Sequence, residues 1–136
     1  MARLTKEQRV AIREADARAQ AVMREFAPDQ AWTTKTGKHA DYFGENGSRM
    51  TINTDRRGRI TRVYAEYDDP HATSAESIGQ HFVDVQSRGR RSVDSGRRFR
   101  SPKVVSETNP ESPTQVVKRV VENTVSAIRR VRANRQ

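Results

Sequence analysis

Between Ala31 and Tyr67 the chain is cut into short β-branched and aromatic runs by three turn signals, Thr36-Gly37, Asn46-Gly47 and Asp55-Arg56-Arg57-Gly58. Turns this close together leave room for strands but not for helices, so the stretch is expected to form an antiparallel meander. Its best-defined part pairs Arg49 to Thr54 with Arg59 to Tyr67. Asp55 can accept hydrogen bonds within its own turn, and Gly58 can take the positive φ of a bulged type I loop. Met50 and Ile52 share one face of the first strand, and Val63, Ala65 and Tyr67 share one face of the second. A bulge at the turn would absorb the change of phase. Trp32, Tyr42 and Phe43 are expected on flanking strands.

A helix should lie on either side of this meander in the chain. Thr5 followed by Gln8 has the spacing of a capping box, and Pro28 stops the pattern, which predicts a helix over 5–27. Its residues Ile12, Ala15, Ala19, Val22, Met23 and Phe26 fall within an arc of roughly 100°. Ser112-Pro113-Thr114-Gln115 combines an N-cap, a proline at the first helical position and a capping-box glutamine, and predicts a helix to about Arg132. Val116, Val117, Val120, Val121, Thr124, Val125, Ala127, Ile128 and Val131 cover nearly half of its circumference. So wide an apolar face wants two neighbours, and its β-branched residues lower intrinsic helicity, so the helix needs a packing partner. That partner is either the chain's own sheet or a second subunit met by Val117, Val120, Val121, Val125, Ile128 and Val131.

After Asp68-Asp69-Pro70, Thr73 and Glu76 repeat the capping-box spacing, and Gly79 would end a helix of one turn. Gln80 to Gln86 alternates as an edge strand. No strand or helix period follows between Ser87 and Glu111, apart from the brief Lys103-Val104-Val105. The expected fold class is therefore α+β. An N-terminal helix lies on a small antiparallel meander sheet in a body of residues 1–86, with an extended arginine-rich arm over 87–111 and an amphipathic helix over 112–136.

The arm dominates the charge. Arg88, Arg90, Arg91, Arg97, Arg98, Arg100 and Lys103 surround the single acid Asp94, a local charge of +6 in a protein of +9. Hydrophobic content of 33 % against 32 % charged residues implies a modest core in a single domain of 136 residues. There is no cysteine, which removes disulfides and thiolate metal sites. No eighteen apolar residues follow one another, and the basic C-terminal helix carries no Trp, Phe or Leu on its apolar face, so no membrane role is expected. The expected setting is the cytoplasm, or a virion or other assembly.

The natural counterion for such an arm is a polyanion, and 21 Arg against 5 Lys favours bidentate contacts to phosphate or carboxylate. The expected function is that of a non-enzymatic, nucleic-acid-associated accessory protein. Arg88, Arg90, Arg91, Arg97, Arg98, Arg100 and Lys103, with Arg129 and Arg130 of the last helix, would contact DNA or RNA phosphates with little sequence specificity. The alternative is a structural subunit of a larger assembly, such as a virion or shell component or a homo-oligomer, in which the arm is a tether and the last helix docks on a neighbour. Trp32, Tyr42, Phe43, Tyr64 and Tyr67 among Lys35, Lys38, Arg49, Arg59 and Arg62 suit either a stacking platform for single strands or, more simply, the core of a small sheet. His39 and Asp41 share a strand face, with Glu45 in the next turn, the makings of a ribonuclease-like acid/base site. An inhibitor domain blocking an acidic pocket is a lesser reading. Asp68, Asp69 and His71 are either metal ligands or a solvated acidic loop. Neither catalytic residues nor a cofactor nor a metal is expected.

Overall fold

The computed structural model describes residues 3–68, 79–99 and 112–135. Helix α1 spans Lys6–Glu25 and is followed by strands β1 (Gln30–Thr33), β2 (Gly37–Phe43), β3 (Arg49–Asp55), β4 (Ile60–Asp68), β5 (Gly79–Gln86) and β6 (Ser92–Phe99), then helix α2 (Pro113–Ala133). The six strands form one antiparallel sheet in sequence order, so the meander and the α+β class are as expected. The short helix expected between Thr73 and Gly79 lies outside the described residues, apart from Gly79, which opens β5.

Two expectations about the strands are corrected by the structure. Residues 92–99 are a strand paired with β5 along its whole length, not a connection without period, and β5 is therefore interior rather than an edge. The reason lies in position. An edge strand is held by backbone hydrogen bonds to one neighbour and needs no full apolar alternation. In Ser92–Phe99 only Val93, opposite Val85, packs against the core among the described side chains. The second half of the expected arm, residues 100–111, lies outside the described residues.

Local chemistry explains the remaining elements. The Thr5 hydroxyl accepts from the Gln8 N–H at 3.1 Å while the Gln8 side chain accepts from the Thr5 N–H at 2.9 Å. Ser112 and Gln115 repeat the arrangement at α2. In the β3–β4 hairpin, Asp55 Oδ1 accepts from the N–H groups of Arg57 and Arg59, Gly58 takes φ +80°, and the register shifts between Asn53 and Thr54. The bulge restores the phase: Met50 stands opposite Ala65, and Ile52 opposite Val63.

Registers running across the sheet put Ala40, Ile52, Val63, Val85 and Val93 in one row and Tyr42, Met50, Ala65 and Val83 in the next. Both rows lie under the helices. α1 buries Ala11, Ile12, Ala15, Ala19 and Val22, whereas Met23, expected inside, is 41 % exposed. The helices run parallel, since Thr114 meets Glu7, Glu122 meets Arg18 and Arg129 meets Glu25 in the same order along both. α2 thus finds its two neighbours within the chain, the sheet and α1. Val117, Val120, Val121 and Ile128 are fully buried there, and Val125 and Val131 are half-buried. Of the residues considered as a partner interface, Val117, Val120, Val121 and Ile128 are therefore core, each buried side chain contributing about 1.5–3 kcal/mol, and Val125 packs against them. At its far end α2 passes so close to the β2–β3 turn that a Cβ on Gly44 would lie 2.8 Å from backbone atoms of Ala127 and Ile128.

Candidate functional site

The topology gathers three hairpin turns at one end of the sheet. Alternate turns of a meander share an end, so the β1–β2, β3–β4 and β5–β6 turns stand in a row, roughly 10 Å apart and about 20 Å from first to last. A hydrogen bond from the Ser87 N–H to the Thr61 carbonyl, at 2.9 Å, ties two of these hairpins near their ends. A bond from Arg56 Nη2 to the Lys35 carbonyl, at 2.7 Å, ties the β3–β4 hairpin to the β1–β2 hairpin. The row carries Lys35, Lys38, Arg56, Arg57, Arg59, Arg88, Arg90 and Arg91. Its acid, Asp55, is engaged by its own turn and by Arg59 Nε at 2.9 Å. Backbone and side-chain bonds from Arg59, with the Arg57 N–H, hold the Asp55 carboxyl below the usual range.

α1 crosses the sheet on this side. At 100° per residue, Arg9, Arg13 and Arg24 fall within roughly 60° of one another, opposite the buried stripe. Two clefts separate α1 from the hairpin turns. One, of about 780 Å³, is lined by Arg3, Leu4, Arg9, Gln86, Gly89, Arg90, Arg91 and Ser92. The other, of about 500 Å³, lies between Asp16, Gln20, Met23 and Arg24 of α1 and Gly58, Arg59, Ile60 and Arg88.

Apart from Arg97, Arg98 and Arg119, the last of which donates to the Tyr67 hydroxyl at 2.8 Å, the described arginines divide by their partners. Arg18, Arg49, Arg59, Arg62, Arg129, Arg130, Arg132 and Arg135 each meet a carboxylate. Arg3, Arg9, Arg13, Arg24, Arg56, Arg57, Arg88, Arg90 and Arg91 have none among the described residues. Most of this second group lines the clefts or the row of turns. Most neutralised arginines hold elements of the fold to one another, with Arg59 paired inside its own turn; most un-neutralised ones collect at a single edge.

Of the site residues inferred from sequence, Arg88, Arg90 and Arg91 are exposed at the β5–β6 turn. Arg97 and Arg98 stand on β6 opposite His81 and Gln80. Arg100 and Lys103 lie outside the described residues. Arg129 and Arg130 are not brought to this edge. Arg129 makes a bidentate pair with Glu25, 2.9 Å from Nε and 2.8 Å from Nη2, and Arg130 pairs with Glu45. The bonds from Arg129 hold the Glu25 carboxyl below its ordinary value. Sequence reading missed Arg3, Arg9, Arg24, Arg56 and Arg57, although the spacing of the α1 arginines points to Arg9 and Arg24 and the alternation of turns to Arg56 and Arg57.

The sheet face away from the helices holds a separate cluster. Asp41, 3 % exposed, accepts from Thr51 Oγ1 at 2.6 Å and Gln30 Nε2 at 2.8 Å, and lies 3.0 Å from His39 Nε2. Burial pushes the Asp41 carboxyl up, but the bonds from Thr51, Gln30 and His39 together bring it below the usual range. Trp32 stacks on His39 at 4.2 Å. Glu45, the third group of the acid/base reading, is instead paired with Arg130. The aromatics do not form one platform. Tyr42 and Tyr67 are on the helix side, and Tyr64 is buried with Arg49 and Arg62 at 5.4 and 5.6 Å from its ring, which leaves Trp32 and Phe43 exposed.

Among the described residues no three His, Asp or Glu side chains are grouped to hold a metal ion; Asp69 and His71 lie outside them. No described helix is long and apolar enough to cross a membrane. No protein-family model, curated protein or solved structure matches this chain.

Proposed function

We propose that this protein is a non-enzymatic nucleic-acid-associated factor that holds phosphates along the row of hairpin turns and the arginine stripe of α1. The observation that carries this reading is the partition of the arginines: most of those that meet carboxylates bind the fold together, and most of those without collect at one edge. Unpaired cations roughly 10 Å apart repel one another, and that repulsion is relieved by a polyanion laid across them. A row of about 20 Å spans roughly six base-pair rises of duplex, enough for five or six phosphates. Such contacts position a polymer without reading its bases. The assembly reading has less support, because the valine face meant to dock on a neighbour is covered by the chain's own sheet and α1.

The test is binding of labelled DNA and RNA, duplex and single-stranded, across a salt series, with a variant carrying Gln at positions 56, 57, 88, 90 and 91. The expected log–log slope is about −4 to −5 for duplex, becoming shallower by roughly 0.9 for each phosphate the variant no longer neutralises. A slope near zero, or one equal in the two proteins, overturns the reading.

A further inference from the structure

We infer that the cleft between the start of α1 and the β5–β6 turn is a pocket for a phosphomonoester carried on a nucleotide, which on the reading above is the phosphorylated end of a nucleic-acid strand. The cleft differs from the rest of the basic edge in three respects. It is concave, and its volume of about 780 Å³ lies within the 300–1,000 Å³ typical of small-molecule sites, far more than a phosphate alone would fill. Its described lining holds four arginines and no acid, whereas the neighbouring cleft contains Asp16. It also has an apolar element, Leu4, which packs against the core, beside the polar side chains of Gln86 and Ser92. That mixture suits a sugar and base attached to the anion.

Charge chooses between the kinds of phosphate. An internal diester carries one negative charge and has two free oxygens. A monoester carries about −1.5 to −2 at pH 7 and offers three oxygens, which matches guanidinium groups arriving from two sides. Arg3 and Arg9 come from the α1 side, Arg90 and Arg91 from the turn. Arg9 is fixed in place by its bond from Nη1 to the Leu4 carbonyl, 2.9 Å. Gly89, at φ +68°, makes the turn with open space where a side chain would project, so the mouth is clear on that side.

The experiment compares oligonucleotides of one sequence bearing a 5′-phosphate, a 3′-phosphate or hydroxyls at both ends, with nucleoside monophosphates titrated separately. One phosphorylated end should bind about tenfold tighter than the hydroxyl-ended strand. The ratio should collapse towards one in R3Q/R9Q and in R90Q, and persist in R56Q/R57Q even as both affinities fall. Equal affinities for all three oligonucleotides, or a ratio that survives R3Q/R9Q and R90Q, overturns the pocket. If no oligonucleotide binds but a nucleoside monophosphate does, and R3Q/R9Q abolishes it, the pocket stands and the polymer reading falls. Binding of neither overturns both.

Discussion

Arg56 at the tip of the β3–β4 hairpin donates from Nη2 to the backbone carbonyl of Lys35 at the tip of the β1–β2 hairpin, 2.7 Å away. The bond braces two neighbouring turns yet leaves the guanidinium charge uncompensated, because its acceptor is neutral. Replacing Arg56 with Gln should therefore reduce the salt slope of duplex binding by roughly 0.9 while costing only about 0.5–1.5 kcal/mol of stability. Salt-series titration and urea unfolding of the same preparation check both numbers.

Arg129 should behave in the opposite way. Its pair with Glu25 joins α2 to α1 on the surface, with side chains 56 % and 43 % exposed, so solvent screens it. Arg129→Gln is expected to lower stability by less than about 1 kcal/mol and to leave the salt slope unchanged. Arg90→Gln, measured beside it, should lower the slope and leave stability alone.

Acid should weaken the fold through two carboxylates, the half-buried Asp29 and the buried Asp41. Asp29 accepts from the Phe43 N–H at 2.7 Å and from Arg132 and Arg135 at 2.8 and 3.0 Å, linking the entry to β1 with the last turn of α2. Burial pushes its carboxyl up, and these bonds together bring it below 3.8, as the partners of Asp41 do on the other sheet face. A carboxylate whose folded value is depressed stabilises the fold fully above its unfolded value and loses that contribution as pH falls through the folded one. Unfolding free energy should thus stay level from pH 7 to about 5 on this account and drop below about pH 4. Asp29→Asn and Asp41→Asn should each be less stable at pH 7 and show a shallower drop. A wild-type profile flat to pH 2 would contradict the assignment.

The burial of α2 against its own sheet predicts a stability independent of protein concentration. Ile128→Ala should cost about 2–5 kcal/mol, and the Tm of the wild type should stay constant over a hundredfold dilution. A Tm that falls on dilution would mean that association with another copy stabilises the fold.

Much of this architecture was legible because its signals are local. Each capping box needs residues three apart, and the Asp55 to Gly58 turn carries its own acceptor and its own glycine, so α1, α2 and the β3–β4 hairpin follow from short stretches of chain. β6 was not legible. Its composition resembles a solvated linker, and it becomes a strand through backbone bonds to β5 that no side-chain pattern announces. Trp32 and Tyr42 both belong on flanking strands by sequence, but which of them is core depends on which sheet face the helices cover.

The candidate site divides in the same way. The sequence by itself determined that arginines crowd between 88 and 100 and that the protein carries a net charge of +9. Only the tertiary structure decided which arginines remain without a carboxylate. Arg129 and Glu25 are 104 residues apart, and Arg132 and Asp29 are 103 apart. Charge neutralisation acts over a few ångströms of space, not of sequence, so Arg129 and Arg130 are withdrawn from the basic edge by partners brought in when α1 and α2 pack. Arg56 and Arg57 join that edge because an antiparallel meander must return every second turn to the same end, and Arg3, Arg9 and Arg24 join it because α1 packs across the sheet beside those turns.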